Sequence, residues 1–160
     1  VINIAYGMLS NQEDAYDAAQ EVFVRVYKSI ESFKEQSSFT TWLYRITKNV
    51  CSDILRKRQK HSGVISINQA IDEKKDMDIK DESPTPEENM EISERQRAVR
   101  EAISELKEEY RTVITLCDIE GLSYDYIAEV LGIPSGTVKS RINRARSALK
   151  KNLMNKRELF

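Results

Sequence analysis

The residues from Ser123 to Lys151 constrain the fold of this chain more than any other stretch, and they read SYDYIAEVLGIPSGTVKSRINRARSALKK. Ser123 is a favourable N-cap, and Gly132 is placed to end the first helix because glycine adopts the left-handed conformation at little cost. Pro134 suits the first turn of a second helix, where its missing N–H group is not needed. The pattern therefore predicts two helices joined by a tight turn.

The second of these helices has two distinct faces. Apolar residues recur at spacings of four, three and four, which predicts a buried stripe of Val138, Ile142, Ala145 and Leu149. The residues off that stripe are polar or basic: Lys139, Ser140, Asn143, Arg144 and Arg146. A polar face backed by an apolar one is typical of a recognition helix in the major groove of DNA, although an ordinary helix with a solvated basic face is the alternative.

The charge of the chain is distributed unevenly. The formal net charge is only −1, yet the segment 139–157 holds eight basic residues and no acidic one. Six basic residues lie in 45–60, while 72–88 contains eight acidic residues. Two basic clusters separated by an acidic tract suggest two nucleic-acid contacts on two bodies.

The sequence predicts an all-α fold with two small helical domains. With 5 Gly and 3 Pro among 160 residues, the chain has too few turn residues for an all-β protein. We expect one helical domain over 1–60, a flexible acidic linker over 61–85, and a second helical domain with the helix-turn-helix over 86–160.

Local patterns place the other helices. Asn11 is expected to cap a helix with an inward face of Ala15, Ala18, Ala19, Val22, Phe23 and Val26. Ser37 or Ser38 caps the next helix, which runs to about Gln59. Thr85 and Pro86 form a strong helix start, and that helix is expected to reach Leu106 with Val99, Ile103 and Leu106 inward.

Several classes of function are disfavoured. No apolar run approaches the ~18 residues of a membrane span, and no signal peptide is evident, so we expect no membrane insertion and a cytoplasmic location. Cys51 and Cys117 lack metal-ligand spacing and are expected to be free thiols. His61 is the single histidine, no glycine-rich phosphate loop follows a strand, and no carboxylate or Cys/His cluster has metal-ligand spacing. We therefore expect no catalytic site, no metal and no cofactor.

Three blocks in the right order resemble the extracytoplasmic-function group of the sigma-70 family. They are DAYDAAQEVFVRVYKSIESF at 14–33, SSFTTWLYRITKNVCSDILRKR at 37–58, and the C-terminal helix-turn-helix. The resemblance implies sigma regions 2 and 4, and a subunit that joins core RNA polymerase and directs it to promoters. It further implies contacts with the β′ clamp helices and the β flap of the polymerase, and an anti-sigma partner that holds the protein inactive.

The resemblance also implies which residues bind. On the first block it places the β′ clamp contact at Asp17, Gln20, Glu21, Phe23, Val24 and Arg25. Because Asp14, Asp17 and Glu21 could equally form a solvated face, the residues alone do not decide between the two interpretations.

The second block corresponds to the reader and melter of the −10 element. Trp42 and Tyr44 match the aromatic positions of the melting region, and Asn49 and Asp53 match positions that face bases. The loop that includes Ser37 would border the pocket for an extruded base, and Arg45, Lys48, Arg56, Lys57 and Arg58 would hold phosphates. Trp42 either belongs to the core or contacts a base, and Tyr44, on another face, is expected to be the exposed ring.

The last helix resembles the −35 reader. Its base-facing positions are Lys139, Ser140, Asn143 and Arg144. Arg141 and Arg146 are expected on phosphates, and Thr137 lies at the helix N-terminus, which can offer N–H groups to a phosphate. Two rival interpretations stay open, namely a stand-alone or response-regulator-type helix-turn-helix regulator, and a protein-interaction module.

Overall fold

The structure, a computed structural model, describes residues 1–34, 36–62 and 86–155, with side chains over 1–34, 36–60 and 94–155. Within these ranges it contains helices and no strand, in agreement with the predicted all-α class. The α-helices are α1 (Ile2–Leu9), α2 (Gln12–Ser29), α3 (Phe39–Ser62), α4 (Pro86–Ser104), α5 (Glu108–Ile114), α6 (Tyr124–Leu131) and α7 (Ser135–Asn155). The predicted linker lies outside the described residues, except for the backbone of 61 and 62.

Helix α2 begins as its sequence predicts. The side chain of Asn11 accepts a hydrogen bond from the backbone N–H of Asp14 at 3.0 Å. The small residues of its inward face and Val22 are buried, but the prediction for Phe23 was wrong, because its side chain is 55% exposed. Phe23 directly follows Val22, so the 100° step of a helix turns it away from the neighbouring helices.

Helix α3 is capped by the second of the two candidate serines. Ser38 Oγ accepts a hydrogen bond from the backbone N–H of Thr41 at 3.1 Å. The helix buries Val50 and Cys51 against α1 and α2, and it extends to Ser62 rather than to Gln59. Burial fixes which face of α3 turns inward, and the opposite face stays available at the surface.

Helix α4 begins at Pro86 as predicted, and it ends at Ser104. Ala98 and Ala102 are buried, whereas Val99 is 37% exposed, so its predicted inward position was wrong. The helix turns its small residues toward α7, where Asn152 Nδ2 donates a hydrogen bond to the carbonyl oxygen of Ala102 at 3.0 Å. Small side chains allow this close approach, which a valine would hinder.

Helix α5 changes from α-helical to π-helical geometry at its C-terminal end. Helix α5 continues as a π-helical turn over Thr115–Ile119, in which the N–H of Glu120 donates to the carbonyl oxygen of Thr115 at 3.0 Å. Gly121 then ends the segment with a φ of 69°. Asp118, within this turn, contacts Arg146 on α7.

The helix-turn-helix forms nearly as predicted. Ser123 Oγ accepts a hydrogen bond from the N–H of Tyr126 at 3.3 Å, and Gly132 ends α6 with a φ of 66°. Pro134 differs slightly from the prediction, because α7 starts at Ser135 and the Pro134 carbonyl accepts from the N–H of Thr137 at 2.9 Å. Pro134 is therefore the N-cap residue and not a residue of the first turn.

The two helical units predicted from the sequence pack against each other. Helix α3 contacts α6, while α1 contacts both α5 and the π-helical turn. One hydrophobic core continues across both units, from Ile4 and Met8 in α1 to Ile114 and Leu116, and on to Ile142 in α7. This packing decides which of the predicted binding residues face solvent.

Candidate nucleic-acid interface

Helix α7 presents one polar face to solvent. Val138, Ile142 and Ala145 are fully buried, which fixes the rotation of the helix about its axis. The four residues predicted to read bases lie on the opposite side and are all exposed: Lys139, Ser140, Asn143 and Arg144. The structure therefore brings these four residues together on a single accessible surface.

The side chains of this face differ in how firmly they are held. Ser140 Oγ donates to the carbonyl oxygen of Thr137 at 2.9 Å, which anchors the hydroxyl to its own helix. Among the described residues, Lys139 and Arg144 have no carboxylate within ion-pair distance. Their charges are therefore available to an anionic ligand such as DNA.

The two arginines predicted to hold phosphates beside this face are engaged within the protein. Arg146 Nη2 lies 2.5 Å from Asp118 Oδ1, and the hydrogen bond to Asp118 raises the pKa of this guanidinium. Arg141 Nε lies 3.7 Å from Glu109 Oε2, a much looser pair. Thr137 is half-buried in the first turn of α7. Exposed ion pairs are weak, so a phosphate could replace either carboxylate.

Trp42 lies in an aromatic cluster at the start of α3. Its ring centroid is 5.1 Å from that of Phe33 and 5.8 Å from that of Phe39, and the indole is half-buried. The sequence interpretation did not include Phe33 or Phe39 in the site. The spacing of three between Phe39 and Trp42 could have indicated their contact, since residues three apart are neighbours on a helix.

Tyr44 is half-buried beside the helix-turn-helix. Its ring meets that of Tyr126 edge to face, with 6.3 Å between the centroids. Burial, with a smaller effect of Glu120, raises the pKa of the Tyr44 hydroxyl. Tyr44 and Trp42 are both half-buried, so the structure does not single out Tyr44 as the exposed ring, and α6 contacts α3 on the side of Tyr44.

The remaining predicted −10 residues lie along α3 and its approach. Asn49 is exposed, and Ser37 is half-buried. Asp53 lies between two cations, with its carboxylate oxygens 3.4 Å from both Arg25 Nη1 and Arg56 Nη1. Arg58 forms an ion pair with Asp14. The predicted phosphate ligands Arg56 and Arg58 are therefore both paired with carboxylates of this chain.

Helix α2 exposes large apolar side chains next to polar ones. Phe23 is 55% exposed, Val24 46% and Tyr27 83%. Asp17, Gln20 and Glu21 are exposed on the same helix, and Arg25 Nε pairs with Glu21 at 2.7 Å. That hydrogen bond is the main cause that raises the pKa of Arg25. Adjacent exposed aromatic and aliphatic residues are typical of a surface for a protein partner.

Other kinds of site find no support in the part of the chain that the structure describes. No group of three or more His, Cys, Asp or Glu side chains there could hold a metal ion. None of the described helices is long and apolar enough to cross a membrane. Cys51 and Cys117 are free thiols, in agreement with the sequence interpretation.

Comparison with protein families defines the class of protein. The chain matches the family model for sigma-70 region 2 over residues 1–61 and the family model for sigma-70 region 4 over residues 96–149. The first match covers α1 to α3, and the second covers the helix-turn-helix with its exposed face on α7. The chain thus has the two regions of a sigma-70-type transcription initiation factor, a class of proteins that are not enzymes.

Curated relatives narrow the class to one family. The chain is 40% identical to ECF RNA polymerase sigma factor SigW of Bacillus subtilis, over 96% of this chain and 82% of that protein. It is 40% identical to ECF RNA polymerase sigma-E factor of Haemophilus influenzae, over 89% of this chain and 76% of that protein. With SigE of Mycolicibacterium smegmatis the identity is 39% over 94% of this chain, which spans only 56% of that relative's length. The chain belongs to the extracytoplasmic-function (ECF) family of RNA polymerase sigma factors.

Solved structures share the fold. The sigma factor RpoE of Bartonella quintana, in complex with the anti-sigma factor NepR, matches with a TM-score of 0.70 and 24% identity, over 96% of this chain and 89% of that one. CnrH, in complex with the cytosolic domain of CnrY, matches with a TM-score of 0.64 and 23% identity, over 96% of this chain and 80% of the CnrH chain. Family membership sets aside the response-regulator and interaction-module interpretations.

Proposed function

We propose that this chain joins core RNA polymerase in the cytoplasm and directs it to promoters through three surfaces. Helix α2 contacts the β′ clamp helices, α3 reads and melts the −10 element, and α7 reads the −35 element. Residues 1–60 and 86–160 act as the two functional domains, and the linker between them lets the two domains reach separated DNA elements. The exposed polar face of α7 is the observation that carries this proposal.

The α7 face has the chemistry that base reading requires. Arg144 can donate two parallel hydrogen bonds to guanine. Asn143 can form a bidentate pair with adenine, in which its amide N–H donates to N7 and its carbonyl oxygen accepts from the N6 amino group. Both side chains are exposed on a helix whose rotation is fixed by the buried stripe. Thr137, Arg141 and Arg146 flank that face, and they position the helix on the phosphate backbone once DNA displaces Glu109 and Asp118.

The α2 surface suits a helical partner with basic residues. Phe23 and Val24 supply apolar area, while Asp17, Gln20 and Glu21 supply an acidic and amide edge. Such a surface can bury its apolar centre and pair its edge with cations. Arg25 is turned toward Glu21 and Asp53, so we propose that it orders the edge of this surface.

The α3 surface combines aromatic rings with cations. Trp42, packed on Phe33 and Phe39, forms one wall of a base pocket, and Ser37 and Asn49 border it. Tyr44 supplies the ring that replaces lost base stacking, and Asp53 faces a promoter base. Arg56 and Arg58 hold phosphates of the opened strand.

Regulation by an anti-sigma factor is part of the proposal. Two structures of the same fold were solved as complexes with anti-sigma factors or with a cytosolic partner domain. The large exposed apolar residues of α2 give such an inhibitor a surface that it would share with the polymerase. Competition for α2, and for the β flap contact of region 4, would keep the sigma factor from the core enzyme.

In vitro transcription tests the proposal. Purified core polymerase is incubated with a pool of promoter-bearing DNA, with and without this protein, and the RNA 5′ ends are mapped. We expect start sites that depend on the protein and share two upstream elements. The double variant Lys139→Ala/Arg144→Ala should lose them, and the matched variant Lys150→Ala/Lys151→Ala on the same helix should keep them. Failure to bind core polymerase would refute the proposal.

A further inference from the structure

One hydrogen bond joins the two helices of the helix-turn-helix at the start of α7. Ser135 Oγ donates to Asp125 Oδ1 of α6 at 2.7 Å. Asp125 is exposed and Ser135 is half-buried, so the Asp125–Ser135 pair lies at the surface. The first turn of α7 has open surroundings, because an added Cβ at Gly136 would meet no atom within 4 Å. Neither side chain of the pair is among the base-reading or phosphate-binding residues of the proposed function.

The chemistry of the pair fixes which way its hydrogen bond runs. An ionised carboxylate carries no proton and can only accept, so the hydroxyl proton of Ser135 is committed to Asp125. The hydroxyl oxygen keeps lone pairs for a second partner, and the carboxylate has a second oxygen. The Asp125–Ser135 pair therefore presents hydrogen-bond acceptors and no free side-chain donor. Its negative charge repels a phosphate, which makes the edge of a base the better partner.

The pair is placed to reach the same DNA groove as the base-reading residues. Ser135 precedes Lys139 by four positions, and residues with this spacing lie on one face of a helix. They are about 6 Å apart along the axis, while adjacent base pairs are about 3.4 Å apart. Ser135 is thus within about two base pairs of the base that Lys139 contacts. The N-terminal residues of a recognition helix are those that contact base edges.

One base matches a group that accepts hydrogen bonds and does not donate them. In the major groove guanine presents two acceptors, and thymine presents an acceptor and a methyl group. Adenine has an amino donor, but beside it lies the N7 acceptor, which a carboxylate repels. Cytosine presents its N4 amino group alone. The acceptors of the Asp125–Ser135 pair therefore favour cytosine on the contacted strand.

We infer that the Asp125–Ser135 pair is an additional base-reading element, which selects cytosine at one end of the −35 element. Ser135 accepts a hydrogen bond from the cytosine N4 amino group. Asp125 is a positioning residue, because it holds the hydroxyl in the orientation that accepts. The inference rests on the proposed function, since the pair can read a base only if α7 lies in the major groove of the −35 element.

Two substitutions change the pair in different ways. Ser135→Ala removes the accepting hydroxyl. Asp125→Asn supplies an amide that can donate to Ser135 Oγ, which frees the hydroxyl proof of direction: its proton can then be donated to an acceptor such as guanine O6. Ser135→Thr keeps the hydroxyl and is the conservative variant. Ser147→Ala is the matched control, because Ser147 is also exposed on α7 but donates to the backbone carbonyl of Asn143 at 3.0 Å.

Selection of promoter DNA by the holoenzyme provides the readout. Core polymerase carrying each full chain binds a library of promoters with a randomised −35 element, and the bound DNA is sequenced. The unsubstituted protein should prefer cytosine at one position of the element. Ser135→Ala should reduce this preference by about fivefold to tenfold and leave the other positions unchanged. Asp125→Asn should shift the preference toward guanine, whereas Ser135→Thr and Ser147→Ala should retain cytosine.

Two results would overturn this inference. One is a cytosine preference that is absent from the unsubstituted holoenzyme, or unchanged in Ser135→Ala and Asp125→Asn. The other is an equal loss of affinity on every sequence, which would give the pair a structural role only. Circular dichroism establishes that each variant is folded, and the two separate positions keep the test valid if one variant fails to fold.

The same selection separates failure of this inference from failure of the proposed function. If the unsubstituted holoenzyme selects a −35 sequence and the variants select the same one, only the role of the Asp125–Ser135 pair is refuted. If the unsubstituted holoenzyme selects no −35 sequence, the proposed function of α7 fails, and the inference fails with it.

Discussion

Arg146 on α7 and Asp118 in the π-helical turn form an ion pair, with 2.5 Å between Nη2 and Oδ1. The second guanidinium nitrogen, Nε, lies 3.3 Å from Asp118 Oδ2, so the pair is bidentate. The carboxylate therefore holds one of the predicted phosphate ligands before any DNA is bound. The two residues are 28 positions apart, and Asp118 lies within the π-helical turn.

Replacing Asp118 should separate the structural and binding effects of this pair. We expect Asp118→Asn to lower the free energy of unfolding by less than about 1 kcal/mol, because exposed ion pairs contribute little. Promoter affinity should increase at low salt, since Arg146 gains freedom and a repulsive charge is lost. Urea unfolding and fluorescence anisotropy measure the two effects. Glu109→Gln, which breaks the looser pair with Arg141, is the control. It should change the free energy of unfolding and the promoter affinity less than Asp118→Asn does.

Arg144 is expected to determine base preference at the −35 element. Arg144→Ala should weaken binding of the holoenzyme to its promoter by ~1–3 kcal/mol and relax the preference at one base position. Filter binding with a set of single-base promoter variants measures this change. Lys151→Ala removes a charge from the exposed far end of α7 and should leave the base preference intact. An equal loss on every sequence would make Arg144 a phosphate contact only.

Tyr44 is expected to act in strand opening by the holoenzyme. Tyr44→Ala should slow open-complex formation more than it weakens closed-complex binding, because the ring replaces base stacking only after the strands separate. Stopped-flow fluorescence of a labelled −10 base reports the opening rate. Tyr44→Phe retains the ring and should open promoters at nearly the normal rate. An unchanged rate of open-complex formation for Tyr44→Ala would show that this residue does not take part in strand opening.

Two glycines with open surroundings offer a matched test of backbone conformation. An added Cβ at Gly132 or at Gly136 would meet no atom within 4 Å, but Gly132 has a φ of 66°. Gly132→Ala should therefore destabilise the protein by about 1–2 kcal/mol through left-handed strain. Gly136→Ala, in helical backbone, should stabilise it by about 0.4–1 kcal/mol. Urea denaturation measures the free energy of unfolding of both variants. A change of the same sign in the two variants would contradict this explanation.

The thiol of Cys51 should be unreactive in the folded protein, and its ionisation in the unfolded chain should lower the free energy of unfolding at high pH. Burial raises the pKa of its thiol from 9.0 to about 12. The unfolded chain therefore loses this proton at lower pH than the folded one, and the stabilisation present below pH 9 is lost as the pH rises toward 12. Ellman's reagent at pH 8 should label Cys51 only after unfolding. Cys51→Ala should lose this part of the pH dependence.

Local patterns predicted the helix starts and stops well. Asn11, Ser123 and Gly132 act on backbone groups within a few residues, so their roles follow from the neighbouring sequence alone. The same holds for the buried stripe of α7, because a helical period fixes which side chains share a face. The exposed face of Lys139, Ser140, Asn143 and Arg144 could thus be predicted from the sequence.

The tertiary structure alone decided which binding residues are free. Arg45 meets a carbonyl 84 positions away, and no local pattern encodes such a contact. Phe23 and Val99 were expected inside because they are apolar, but each directly follows the residue that its helix buries, Val22 and Ala98, and is turned outward. Tyr44 was expected outside, and its ring contacts Tyr126 of α6, 82 positions away. Hydrophobicity and period determine that a face exists, whereas packing between distant segments determines what covers it.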